Sequence, residues 1–343
     1  MSQTTSRTTS GTPSGSAGEG ASPPVGGGPG RDASPGTGAA AGPGAGPGAG
    51  PGAGGTARAG GGAGAVRGAT RHELRIGGRA LSYLDFGGPG QPLLALHGGM
   101  SEGAHFAGLA TALGDEWRVI APDQRGHGDS DLAADYRREG YVSDAVALLE
   151  HLQRPDLQGP DHPLHRDPGA PVAVLGFSLG GINAFHLAAA RPDLVRALVN
   201  VDAPVESPRT DGPSFWDFLH DLPYTARTRE ELVTALGPLG EGVGPFLRPL
   251  PGGEGWRLPF HPRATLATLA EGDGSRWDVW LASTCPALLV HGRRSAVLPQ
   301  ELADAMVARR PGTSYAGLDT EHFVPFQDPQ GFAEAVRTFL ADL

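Results

Sequence analysis

Pro171-Val172-Ala173-Val174-Leu175-Gly176-Phe177-Ser178-Leu179-Gly180, followed by Gly181-Ile182-Asn183-Ala184-Phe185-His186-Leu187-Ala188-Ala189-Ala190, is the stretch that decides the fold. The apolar run 171–175 has the length and branching of a buried parallel strand, and 181–190 is rich in helix formers and ends near Pro192. A serine at the tip of a strand-to-helix turn has strained backbone angles, and side chains two residues to either side would collide there. Gly176 and Gly180 remove those collisions and leave the hydroxyl of Ser178 exposed at a helix N-terminus. Free amides and the helix dipole favour developing negative charge at that point. The pentapeptide alone would also describe a glycine-rich turn with an incidental serine. With this strand before it and this helix after it, it reads as a nucleophile elbow.

Outward from the elbow, short apolar runs alternate with helical patterns. Strands are expected over 72–76, 79–86, 92–96, 117–121, 171–176, 195–201, 286–291 and 314–318, and helices over 103–113, 141–152, 182–190, 299–310 and 329–343. Strands alternating with helices predict an α/β domain with a mostly parallel sheet covered on both faces. Its ligand site is then expected beyond the carboxyl ends of the strands.

The N-terminal part is a different material. Residues 1–70 are almost entirely Gly, Pro, Ala, Ser and Thr, with Gly42-Pro43-Gly44-Ala45 recurring through Gly54. So little there can be buried that ordering it has no compensation, and a disordered tail is expected. It lacks the strict glycine period of collagen, and no basic start with an apolar run marks a secretory signal. The body, 71–343, is long enough for one large domain with an inserted subdomain. No apolar run is long enough to span a membrane. The net charge of −10 argues against nucleic-acid or anionic-membrane partners. The single cysteine, Cys285, excludes an intramolecular disulfide and fits a cytoplasmic setting. Oligomeric state stays open.

Each chemical motif falls at an expected strand end. His97-Gly98-Gly99-Met100 follows the strand ending at Leu96. Acyl transfer needs two N–H donors aimed at the oxyanion: the elbow offers the amide of Leu179, and this turn offers Gly99, with Met100 as its rival. His97 reads as a loop-holding residue. Asp123-Gln124-Arg125-Gly126-His127-Gly128-Asp129-Ser130 follows the strand ending at Ala121 and reads as a structural bend, His127 and Asp129 included. Asp319-Thr320-Glu321-His322-Phe323 lies between the last strand and the last helix, which makes His322 the candidate general base. His162 and His165, with Asp161 and Asp167, read as a solvated loop and not a metal site, and no cofactor is implied.

Together, His97-Gly98-Gly99, 123–130, Gly176 to Gly180 and His322 resemble, in order, the successive signatures of the α/β-hydrolase fold superfamily. The resemblance implies an eight-stranded, mostly parallel sheet with helices on both faces, Ser178 as nucleophile and His322 as base. It also implies a lid inserted after the sixth strand, at about 204–281, whose Phe215, Trp216, Phe218, Trp256 and Phe260 would offer an apolar acyl pocket or simply the lid's own core.

One element of that pattern is missing. The superfamily usually carries its acid in the turn after the seventh strand, and here the turn reads Gly292-Arg293-Arg294-Ser295-Ala296-Val297-Leu298-Pro299. It holds no carboxylate, and Ser295 and Ala296 stand where an aspartate is expected. Asp202, at the end of the sixth strand, is the substitute, as in branches of the superfamily that place an acid there; Asp319 and Asp278 rank behind it. The expected activity is a metal-independent serine hydrolase acting on a small acyl compound, with Ser178, His322 and Asp202 as triad. The same triad would also serve C–C hydrolysis or perhydrolysis. A chain that lost its acid would instead be a non-catalytic small-molecule-binding protein.

Overall fold

The computed structural model describes residues 68–154, 169–207, 215–271 and 274–343, apart from the Phe215 side chain. The tail expected over 1–70 therefore falls almost wholly outside the described residues, as does the loop with His162 and His165.

Eight strands form the central sheet: β1 (Thr70–Ile76), β2 (Arg79–Asp85), β3 (Gln91–Leu96), β4 (Trp117–Pro122), β5 (Val172–Phe177), β6 (Val195–Val201), β7 (Ala287–Gly292) and β8 (Thr313–Leu318). Their spatial order is β1-β2-β4-β3-β5-β6-β7-β8. β2 runs antiparallel to β1 and β4, and every pair from β4 to β8 is parallel. The eight-stranded, mostly parallel α/β sheet implied by the sequence is thus the observed one.

The central strands are apolar on both sides because both faces are covered. Leu94, Val172, Val174, Leu198 and Leu289 pack under α2 (Arg138–Leu152), α3 (Leu179–Ala190) and α4 (Gln300–Arg309). The alternate residues Leu93, Ala173, Leu175, Val199 and Val290 pack under α1 (Ala107–Leu113) and α5 (Pro329–Ala341). A strand period of two with both registers apolar is what a doubly covered parallel sheet requires. The helix expected over 103–113 is split: Gly103–Phe106 is a tight 3₁₀ turn that leads into α1.

Between β6 and β7 the chain carries short helices, including Arg229–Leu236, Pro262–Ala270 and Trp277–Ala282, and a small three-stranded sheet of Thr225–Ala226, Arg248–Pro249 and Trp256–Arg257. This insertion has its own core of Leu219, Leu222, Leu232, Leu236, Leu258 and Phe260. No helix among the described residues is long and apolar enough to cross a membrane.

Candidate active site

β5 ends at Phe177 and α3 begins at Leu179, so Ser178 alone makes the turn, at φ 53° and ψ −118°. That conformation is strained for a residue with a Cβ and persists because its surroundings fix it. The Ser178 amide donates to Val201 O at 2.9 Å, and the Ser178 carbonyl accepts from Ile182 N at 3.0 Å. Both glycines of the pentapeptide are close approaches. A Cβ on Gly176 would lie 2.1 Å from Gly180 O, and one on Gly180 would lie 2.0 Å from Leu96 O. Leu179, as the first helical residue, has an amide that no intrahelical carbonyl can take.

Three segments far apart in sequence meet beside the Ser178 hydroxyl. His322, on the loop after β8, has Nε2 2.9 Å from Ser178 Oγ and Nδ1 2.7 Å from Asp202 Oδ2. Asp202, one residue beyond β6, is fully buried with a left-handed φ of 49°, and its amide donates to Val290 O at 2.8 Å. Its Oδ1 accepts from Gly292 N at 2.9 Å and its Oδ2 from Ser295 Oγ at 2.5 Å. The turn after β7 thus contributes hydrogen-bond donors to a carboxylate that comes from β6. Gly292 is also where the loop carrying His322 crosses: a Cβ there would sit 2.2 Å from Glu321 O. The rival acids stand elsewhere. Asp319 is 78 % exposed and pairs with Arg294 at 3.1 Å, and Asp278 is exposed on the insertion.

The turn 97–100 is held from behind by polar groups that are themselves buried. His97 Nε2 accepts from Gln124 N at 2.9 Å, so its proton is on Nδ1, which donates to Gly98 O at 2.7 Å. Gln124 returns a bond from Nε2 to His97 O at 2.6 Å and is held in turn by Asn183 Nδ2 at 2.6 Å. Burial pushes the His97 pKa down, which keeps the ring neutral. His127 does the same for the next residue: Nε2 accepts from Met100 N at 3.3 Å, and Nδ1 lies 3.0 Å from Arg125 O. Burial lowers its pKa to about 3, with His97 a smaller contributor. The Met100 amide is thus turned to His127, which removes the rival of Gly99 in this turn as a donor.

The insertion docks on the bend 123–130. Gly128 N donates to Pro259 O at 2.6 Å and His261 N to Gly126 O at 2.8 Å. Arg248 and Arg257 both pair with Asp129, and Arg248 also reaches the buried Glu102. Burial raises the Asp129 carboxyl, but Arg248, Arg71 and Arg257 outweigh it and hold the pKa below the usual carboxylate value. Both His127 and Asp129 are therefore occupied away from Ser178.

Among the described residues, Trp216, Phe218, Trp256 and Phe260 are part of the insertion's own core. Phe260 is 1 % exposed within the insertion core, and Trp216, Phe218 and Trp256 pack against it. A subdomain of this size must bury rings to stand at all, so its aromatics serve its own core first. The rings beside the site come from the elbow, from the segment after His322 and, in Phe246 alone of those in contact here, from the insertion. Phe177 lies 5.2 Å from the His322 ring and 6.2 Å from Phe326, and Phe326 lies 6.2 Å from Phe246 and 5.1 Å from His105. Sequence reasoning missed these; the one available signal was Phe177, inside the elbow itself. Among the described residues, no three His, Cys, Asp or Glu side chains are grouped to hold a metal ion.

Comparison with known proteins agrees with this fold. Residues 93–335 match the alpha/beta hydrolase family. The chain is 28 % identical over 286 residues to the 3-hydroxybutyrate-oligomer hydrolase of Cupriavidus necator, covering 76 % of this chain and 92 % of that protein. It is 32 % identical over 273 residues to lipase LipV of Mycobacterium tuberculosis, covering 74 % and 95 %. Among solved structures, E-2-(acetamidomethylene)succinate hydrolase superposes with a TM-score of 0.63 at 23 % identity, over 80 % of this chain and 99 % of that one, a likeness of fold. With a family match that runs from β3 into α5, and hydrolase relatives aligned over nearly their whole length, the chain belongs to the alpha/beta hydrolase family of enzymes.

Proposed function

We propose that the protein is a serine hydrolase that cleaves a small carboxylic ester or related acyl compound through an acyl-enzyme. The observation that carries this reading is the His322 imidazole, 2.9 Å from Ser178 Oγ on one side and 2.7 Å from Asp202 Oδ2 on the other. In this reading Ser178 Oγ forms a bond to the acyl carbon as its proton passes to His322 Nε2. The carbonyl π pair moves onto oxygen, where the amides of Leu179 and Gly99 receive it. Asp202 keeps the proton of His322 on Nδ1 and stabilises the imidazolium. Collapse of the tetrahedral species re-forms the carbonyl and breaks the bond to the leaving alkoxide, which takes the proton from His322. Water then repeats the sequence, releasing the acid and restoring Ser178.

Two things favour esters. The 3-hydroxybutyrate-oligomer hydrolase and the lipase among the relatives are named for ester chemistry. The rings of Phe177, Phe246 and Phe326 give an acyl chain an apolar wall. The non-catalytic reading rested on a turn without a carboxylate, and Asp202 beside His322 supplies one from another strand. A fluorophosphonate probe tests the proposal. Stoichiometric adduct on Ser178, absent from Ser178→Ala, together with hydrolysis of p-nitrophenyl butyrate, is the expected result. No labelling of the folded protein would overturn it in favour of a binding role.

A further inference from the structure

We propose that Ser295 is a positioning residue for this reaction: its hydroxyl holds the Asp202 carboxylate against His322 from the turn where the superfamily usually carries the acid itself. The proposal rests on the triad reading above. A hydroxyl has one proton to give and two lone pairs to receive with. Ser295 Oγ lies 3.2 Å from both Val297 N and Leu298 N, which occupy its lone pairs as donors. Its single proton is therefore committed to Asp202 Oδ2, at 2.5 Å. That oxygen is the one His322 Nδ1 approaches at 2.7 Å, so serine and imidazole converge on the same atom.

The platform under Ser295 is rigid. Ser295 N donates to Gly292 O at 2.8 Å, Arg293 N to Leu318 O at 2.9 Å and Arg294 N to Thr320 O at 2.9 Å, which ties the turn to the segment leading to His322. At its far end the fully buried His291 donates from Nε2 to Leu298 O at 2.8 Å and receives the Tyr315 hydroxyl at Nδ1 at 2.9 Å. Asp202 has no solvent exposure, so each donor lost leaves charge in a dry site unanswered. Ala296, the other residue standing where an aspartate is usual, is exposed and takes no part. Without Ser295 the carboxylate keeps, among the described residues, Gly292 N on Oδ1 and His322 on Oδ2, and the orientation of Oδ2 then depends on the residue it is meant to orient.

The test is steady-state hydrolysis of p-nitrophenyl butyrate by Ser295→Ala, Ser295→Thr and Ser295→Cys, with Asp202→Asn as reference. Ser295→Ala is expected to lower kcat by about 10- to 100-fold, the worth of a buried hydrogen bond to a charged group, while KM stays within ~threefold because Ser295 touches no substrate. Ser295→Thr keeps the hydroxyl and should return most of the rate, and Ser295→Cys, with a weaker donor of similar shape, should fall between. If Asp202→Asn is inactive and folded Ser295→Ala keeps kcat within ~threefold of the parent, this proposal alone is overturned. A loss that neither Thr nor Cys relieves and that tracks a falling Tm would overturn it too, since it would mark Ser295 as structural. An active Asp202→Asn enzyme would overturn the triad reading and this proposal with it.

Discussion

Replacing Asp202 by asparagine separates an acid that works from an aspartate that merely caps a strand. The substitution conserves shape and removes a buried charge, so the fold should survive. The surroundings dictate how the amide sits. Gly292 N, 2.9 Å from Oδ1, is a donor and demands an oxygen there. The asparagine NH₂ must then occupy the place of Oδ2, facing His322 Nδ1 at 2.7 Å. Two N–H groups cannot face each other, so His322 gives up its Nδ1 proton and carries one on Nε2, pointing at Ser178. A ring protonated on that side cannot accept the serine proton. The expected loss is about 10³ to 10⁴ in kcat, roughly 4 to 5.5 kcal/mol of transition-state stabilisation, with little change in KM. Adding Ser295→Asp should recover part of the rate, because its side chain already reaches within 2.5 Å of the Oδ2 position, whereas Ala296→Asp, on an exposed site, should not. The assay is p-nitrophenyl butyrate turnover beside a thermal melt. A kcat loss below about tenfold in folded Asp202→Asn would refute the reasoning, since an acid that fixes the tautomer of the base is worth far more.

Gly180→Ala would drive a Cβ to within 2.0 Å of a backbone carbonyl, that of Leu96, which no side-chain rotation relieves. A stability loss of about 3 kcal/mol or more is expected in a denaturant titration, and a loss under ~1 kcal/mol would mean that α3 can shift away from β3. Stability should also fall as pH drops from 7 to 5. Burial holds His127, and likewise His105, at a pKa of about 3, so the unfolded chain takes up protons near pH 6.5 that the folded chain refuses. The stabilisation is complete above the unfolded value and is lost as pH falls from there towards 3. For His127 that is about 2 kcal/mol between pH 7 and pH 5. A flat urea midpoint over that range would show the ring protonated or exposed in the folded state.

Ser178 is legible in the sequence because its constraints are local: strand, two glycines and helix lie within twenty contiguous residues. The sheet is legible for the same reason, since each central strand carries apolar residues in both registers. The acid proposed for the triad is harder to read. Its position is set jointly by the end of β6, the turn after β7 and the loop after β8, and the turn that usually announces it holds a serine. Asp202 can be named as a candidate substitute from its place at a strand end, but its hydrogen bond with Ser295 cannot, because nothing in the sequence pairs residue 295 with residue 202. The aromatics of the insertion left two readings open for a physical reason: composition counts rings without saying which way they face. The 3₁₀ start of the helix after β3 was also hidden, since Gly103-Ala104-His105-Phe106 contains no helix stop.

The docking of the insertion bears on how such an enzyme can be diversified. His127, which receives the Met100 amide beside the proposed donor Gly99, is itself bridged by its backbone to Phe260 of the insertion. The bend around it is clamped by Pro259, His261, Arg248 and Arg257. The insertion expected to serve as a lid is therefore also tied to a turn proposed to stabilise the reaction. Exchange of this insertion for that of a relative would disturb the chemistry as well as the selectivity, unless residues 248–261 travelled with their counterparts at Glu102 and Asp129. A library that seeks a new preference while sparing this frame would start at Phe246 and Phe326, which are partly exposed, and leave Phe177, which is buried in the core at the end of β5.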